Sequence, residues 1–129
     1  MSLSCVGIDI EEVGRFRAHA FLKDKRFWRN LFTTGELSYL KKFNDPYPHA
    51  AGTFAAKEAV QKACSRTHGK IALIDIEVRH EKSGRPTVRV RRAPKITCEI
   101  SISHTRDFAI AAALCENTHN ESRRNKRKN

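Results

Sequence analysis

Closely spaced glycines, paired cysteines and long apolar runs are all missing from this sequence. Its six glycines never come within six residues of one another. Neither a P-loop nor a GxGxxG turn, whose glycines let backbone amides close around phosphate, is therefore available. The six histidines make no HExxH pair, and the four cysteines, Cys5, Cys64, Cys98 and Cys115, are far apart with no CxxC among them. That spacing argues against a zinc ribbon, a thioredoxin-type redox site and a disulfide scaffold, and predicts reduced, mostly buried thiols. No apolar stretch approaches the ~18 residues that read as a membrane-spanning helix. The N-terminus has no basic segment ahead of an apolar one, and Asp9, Glu11 and Glu12 arrive early. A secretory or mitochondrial leader is not written there, and a cytoplasmic location is expected.

Acidic residues are scarce as well: 14 stand against 25 Lys and Arg, a net charge of +11 over 129 residues. Such an excess favours polyanionic partners, whether nucleic acid, anionic membrane, phosphorylated ligands or acidic proteins. The 40% hydrophobic content fills one core and leaves no material for a second. One domain is expected over residues 1–116. Residues 117–129 carry Arg123, Arg124, Lys126, Arg127 and Lys128 against Glu121 and no apolar side chain, which predicts a basic, disordered tail.

What is present reads as α+β. Val6, Ile8 and Ile10 alternate with Gly7 and Asp9, the pattern of a strand that buries its aliphatic face and turns one acid outward. From Glu11 to Lys42 the spacing becomes helical and predicts two or three short helices, one starting near Thr34. Asn44 to Pro48 breaks the chain. His49 to Cys64 is alanine-rich and predicts one long helix, with Ala55, Ala56, Ala59, Val60 and Ala63 on one side and Phe54, Glu58, Gln61, Lys62 and Ser65 on the other. Residues 71–80, 87–90, 96–103 and 108–114 are strand-like and closely spaced, which suggests antiparallel pairing. Between the first two, Lys82 to Pro86 has hairpin length, with Gly84 free to take positive φ.

Asp9, on the outward face of the first strand, and Glu58, on the polar face of the long helix, are the two acids best placed to converge. One or two carboxylates with water and phosphate oxygens are a common magnesium environment, and Lys62, one helical turn past Glu58, is placed to neutralise a phosphate at the same ion. Glu58 and Lys62 also make an ordinary i,i+4 surface pair. His104 ends a run of hydroxyls, Ser101 to Thr105, where it can contact phosphate, shuttle a proton or simply pack a turn. Arg15, Arg17, Lys23, Lys25, Arg26 and Arg29 interleave with Phe16, Phe21, Phe27 and Trp28. With the aromatics turned inward they form a cationic surface, either a solvated face or a docking site for an acidic partner or nucleic acid.

Taken together, Gly7-Ile8-Asp9-Ile10 with Arg15-Phe16, Phe54-Ala55-Ala56-Lys57-Glu58-Ala59 with Lys62-Ala63, the Gly84-Arg85-Pro86 turn and Ser101-Ile102-Ser103-His104-Thr105 resemble the holo-acyl-carrier-protein synthase family of small 4′-phosphopantetheinyl transferases, in order and separation. The resemblance implies that family's fold, an antiparallel sheet packed against one long helix and several short N-terminal helices. It implies Mg²⁺-dependent transfer of 4′-phosphopantetheine from coenzyme A to a serine of acyl carrier protein, releasing adenosine 3′,5′-bisphosphate, in support of fatty acid biosynthesis. Asp9 and Glu58 match the metal ligands and Lys62 the lysine near the diphosphate. Gly84, Arg85, Pro86, His104 and Thr105 would line the coenzyme A site, while Arg15, Arg26 and Arg29 would receive the acidic carrier protein.

By the same likeness a homotrimer with sites between neighbours is expected, and neither nucleic acid nor membrane is expected as a partner. Thr53 stands where the family often carries arginine, so a phosphate contact is either missing or supplied by Lys57, Arg66 or Arg85. The competing reading is a non-catalytic, basic nucleic-acid-binding module, which leaves Asp9 and Glu58 without a role.

Overall fold

The computed structural model describes residues 3–93 and 95–117. In chain order they form β1 (Leu3–Glu12), α1 (Val13–Arg17), α2 (Lys25–Leu31), α3 (Thr34–Leu40), α4 (Tyr47–His68), β2 (Ile76–His80), β3 (Pro86–Val90), β4 (Ile96–His104) and β5 (Phe108–Asn117). The strands make two antiparallel sheets, one of three strands in the order β1-β5-β4 and one of β2 with β3. Helices fill the first half and strands dominate the second, as the α+β reading expects. Asn117 closes β5, and residues 118–129, the rest of the expected basic tail, lie outside the described residues.

Local chemistry accounts for the boundaries. Thr33 Oγ1 accepts from the Glu36 amide while Glu36 Oε1 accepts from the Thr33 amide, a reciprocal cap that starts α3 at Thr34. Pro48 sits in the first turn of α4, where a missing amide hydrogen costs nothing, and Gly69 ends the helix at φ 64°. The β2–β3 hairpin turns through Gly84 at φ 90°, and the Glu81 amide donates to the Arg85 carbonyl. Residues 71–75, read from sequence as the start of a strand, instead lead into a 3₁₀ turn at Leu73–Asp75.

Two buried clusters lie on either side of α4. One is built from Phe16, Trp28, Phe32, Phe54 and Leu40 beneath α1, α2 and α3. The other joins the small side chains Ala55, Ala56, Ala59 and Ala63 to Ala111, Ala113 and Cys115 of β5 and to Ile76, Val78 and Val90 of the two-stranded sheet. Aromatics of the N-terminal helices do turn inward, leaving Arg15, Lys23, Lys25, Arg26 and Arg29 outside.

The structure departs from the sequence expectations in three further respects. The faces of β1 are inverted: Gly7 and Asp9 look onto α4, while Val6, Ile8 and Ile10 are 72%, 58% and 62% exposed in the single chain. The reason is contact distance, because a Cβ on Gly7 would run into the Ala59 carbonyl, so only the small-residue face of β1 can approach α4 this closely. Secondly, α4 is buried over more of its circumference than its sequence suggests. Phe54 lies in the aromatic cluster, and Lys57 is fully buried, its Nζ donating to Glu36 Oε1 (2.6 Å) and to the Leu31 carbonyl (2.8 Å). Glu36 Oε2 accepts from the Val78 amide, so this pair ties α2, α3, α4 and β2 together.

Thirdly, the cysteines are not all free thiols. Cys98 and Cys115 are cross-strand partners on β4 and β5 and are joined by a disulfide, leaving Cys5 and Cys64 free. Register makes this possible, since residues far apart in sequence stand directly opposite each other in the sheet.

Gly7→Ala is expected to lower stability by about 3 kcal/mol, at the upper end of overpacking penalties, because the added methyl meets backbone that cannot rotate aside. Denaturant unfolding checks this, and a variant as stable as the parent would show that the helix and sheet are free to separate.

Candidate functional site

Alternation along β1 places Gly7, Asp9 and Glu11 on one face, and the close seating of Gly7 on Ala59 brings that face against the middle of α4. Glu58 and Lys62 flank this contact on the helix. Asp9 is 8% exposed, and Lys62 Nζ donates to Asp9 Oδ1 and to the Ile8 carbonyl, each at 3.0 Å. Asp9, Glu11 and Glu58 each offer a carboxylate oxygen, and the three oxygens lie within 4.8 Å of one another. Arg15 Nη1 reaches Glu11 Oε2 at 3.3 Å, so the cluster is bounded by one arginine and one lysine.

Three carboxylates this close repel one another. Burial, with the Asp9 and Glu58 carboxylates beside it, pushes Glu11 up to about 7, with Arg15 pulling the other way. Burial and Asp9 likewise raise Glu58, against Lys62 and Arg15. Asp9 Oδ2 is buried without a hydrogen-bond partner. An orphaned carboxylate oxygen amid mutually repelling acids is the donor set a hard divalent cation satisfies, and Mg²⁺ fits it through oxygen ligands. Glu11 was not singled out from sequence, although its place two residues beyond Asp9 on a strand was the available signal. Beside Glu58 opens a cleft of about 500 Å³ whose walls include Arg29, Gln61, Lys70 and Ile74.

The other expected site residues stand elsewhere in the chain. Gly84 and Arg85 are exposed in the β2–β3 turn and the half-buried Pro86 opens β3, with Arg85 Nη2 2.7 Å from Glu99 Oε2 of β4. His104 ends β4 with its ring 5.4 Å from that of His49, and Thr105 closes the β4–β5 turn by exchanging hydrogen bonds with Phe108. Among the described residues, no hydrogen bond or ion pair joins these groups to Asp9 or Glu58. Arg26 and Arg29 are exposed on α2. Thr53 is buried, and Lys57, one of the residues considered for the missing phosphate contact, is taken up by Glu36 inside the core; that possibility is withdrawn.

The neutral Glu11 carboxyl contributes stability in the metal-free protein, because the fold binds its proton more tightly than an unfolded chain in which glutamate titrates near 4.5. That contribution is complete below about 4.5 and is lost as pH rises through about 7. Metal-free protein is therefore expected to lose this contribution between about pH 4.5 and pH 7, and Glu11→Gln to flatten the slope there. Thermal melts across this range in a chelator measure it, and an identical slope in the variant would assign the proton to another group.

The 4′-phosphopantetheinyl transferase superfamily matches residues 5–113. A holo-[acyl-carrier-protein] synthase of Clostridium tetani is 35% identical over 119 residues, covering 86% of this chain and 94% of the relative. One of Thermodesulfovibrio yellowstonii is 40% identical over 106 residues, covering 82% and 92%. Among solved structures, the Bacillus anthracis holo-(acyl-carrier-protein) synthase in complex with CoA (3′,5′-ADP) superposes with a TM-score of 0.73 at 30% identity, covering 88% of this chain and 96% of that one. Fold and sequence agree on one conclusion: the chain belongs to the 4′-phosphopantetheinyl transferase superfamily, as an enzyme of its holo-[acyl-carrier-protein] synthase family.

Proposed function

We propose that this enzyme moves the 4′-phosphopantetheine of coenzyme A onto a serine of apo acyl carrier protein, in a Mg²⁺-dependent reaction that releases adenosine 3′,5′-bisphosphate. It acts in the cytoplasm and serves fatty acid biosynthesis. The observation that carries the reading is the meeting of Asp9, Glu11 and Glu58 with Lys62 where β1 crosses α4. Family membership supports the same chemistry and leaves the alternative of a nucleic-acid module without support.

The roles follow from position. Asp9 and Glu58 would hold Mg²⁺, which when bound would supply positive charge to the diphosphate and make its phosphorus a better electrophile. The serine oxygen forms a bond to the β-phosphorus of coenzyme A while the bond from that phosphorus to the bridging oxygen breaks, and the electron pair leaves with the adenosine bisphosphate. The serine proton passes to Glu58 or to a water held near Asp9. Lys62 is 56% exposed at its side chain and lies beside Asp9, within reach of charge that develops on the transferring group. Gly84, Arg85, Pro86, His104 and Thr105 contact coenzyme A, and Arg15, Arg26 and Arg29 receive the acidic carrier protein.

A homotrimer completes the site. Val6, Ile8 and Ile10 of β1 and Ile110 and Leu114 of β5 form an exposed aliphatic face, with Val6 opposite Leu114 and Ile10 opposite Ile110. An apolar sheet face of this kind is stable in water only when covered. Covering it with other copies lets the His104 and Gly84 turns of one chain reach the carboxylates of the next, a division of labour that the separation of these groups within one chain supports.

Intact-mass measurement of apo acyl carrier protein incubated with the enzyme, coenzyme A and Mg²⁺ is expected to show phosphopantetheine addition, and an unchanged mass would overturn the proposal. Asp9→Ala and Glu58→Gln are each expected to cut turnover by at least about 100-fold with the fold intact. Lys62→Ala should lower kcat more than it weakens coenzyme A binding. In solution the enzyme should have three times its 14.7 kDa chain mass, and Val6→Asp should release single chains. Light scattering reads both, and a monomeric parent would remove the trimer from the mechanism.

A further inference from the structure

The two-stranded sheet has an outer face that none of the assigned roles uses. Ile76, Val78 and Val90 point into the core, so alternation sends Glu77, Arg79, Arg89 and Arg91 the other way. Arg29, from the last turn of α2, faces them across a cleft of about 620 Å³. Four guanidinium groups from three elements thus converge on one space that holds a single carboxylate, Glu77, and Arg79 Nε already donates to it at 2.8 Å. Among the described residues, Arg29, Arg89 and Arg91 make no ion pair. Like-charged groups gathered without counter-charges are held apart from one another only by solvent, and an anionic partner relieves them.

We infer that this cleft is a docking surface for an acidic segment of a protein partner. Resting on the function proposed above, that partner is the acceptor carrier protein. The character of the lining favours a protein over a small anion. A built small-anion site gathers buried donors, whereas these four arginines are all exposed and the buried members of the lining, Phe32 and Leu37, are apolar. Arginine beside exposed aliphatic surface, here Ile74, is instead the composition of a protein interface. Continuity gives the surface its direction, since Arg29 and Ile74 also line the cleft beside Glu58. An acidic segment seated among Arg79, Arg89 and Arg91 would lie next to the cleft that Glu58 lines, beyond the part of α2 that carries Arg26.

The test uses the full chain with Arg89→Glu and Arg91→Glu together, and direct binding of apo acyl carrier protein measured apart from turnover. At low salt the double variant is expected to bind the carrier about tenfold more weakly or worse. The gap between parent and variant should shrink as salt screens the charges, while coenzyme A affinity stays unchanged. Arg89→Ala with Arg91→Ala keeps the question answerable if the reversed charges disturb folding, and is expected to show a smaller loss in the same direction. Unchanged carrier binding in a folded variant would overturn the inference. So would a loss of coenzyme A affinity, which would make the cleft a donor-phosphate site. A parent enzyme that binds the carrier without modifying it would sink the proposed reaction and leave the docking surface standing.

Discussion

Where β1 crosses α4, no side chain stands between the two backbones. Gly7 lies so close to the Ala59 carbonyl that even a methyl group would not fit, and Ala55, Ala56, Ala63, Ala111 and Ala113 keep the rest of the contact thin. The position of the carboxylates is a consequence of this packing. Asp9 is two residues past Gly7 on the same strand face, and Glu58 immediately precedes Ala59, so seating the glycine brings the two acids together. Lys62, one helical turn further on, then has the Ile8 carbonyl and Asp9 within reach. Larger residues at the crossing would move the acids apart before they altered any group that touches substrate.

Holding α4 at that distance also requires an anchor on its other side. Lys57 and Glu36 supply it, buried and hydrogen-bonded to the Leu31 carbonyl and to the Val78 and Thr33 amides. Burial pushes the Glu36 carboxyl up and the Lys57 ammonium down, and each partner opposes the shift of the other. A buried ion pair is not a cheap source of stability, and its loss on one side leaves an uncompensated charge. Here it fixes the rotation of α4 about its axis, because Lys57 facing inward forces the adjacent Glu58 toward the open cleft.

Much of this was legible in the sequence, and the failures share one physical origin. Element order, the Gly84 hairpin, the helix start at Thr34 and the group Asp9, Glu58 and Lys62 all follow from patterns local to a strand, turn or helix. Alternation on β1 divides its residues between two faces, however, without saying which one is covered. Hydrophobicity chose Val6, Ile8 and Ile10, while steric fit to α4 chose Gly7 and Asp9. Lys57 counts as a surface charge until Glu36, 21 residues away, is placed beside it. The disulfide depended on strand register, which makes neighbours of Cys98 and Cys115. Glu11 was within reach of the alternation argument, which identifies it as soon as Asp9 is known to face the helix.

The charge of the molecule is therefore divided by range. At short range the crossing of β1 and α4 is anionic, a pocket where Asp9, Glu11 and Glu58 crowd together and are only partly balanced by Lys62 and Arg15. At long range the net charge of +11 prevails. Screening over about 8 Å at physiological ionic strength separates these regimes, so a partner approaching from solution meets the arginines of α2 and β3 before it meets the acids. On the function proposed above, an anionic substrate that the carboxylates would repel would be drawn in by their surroundings, and close to the cluster a cation held there would turn repulsion into attraction. On the same proposed function, the three acids that repel one another would thus favour an anionic ligand that arrives together with a divalent ion.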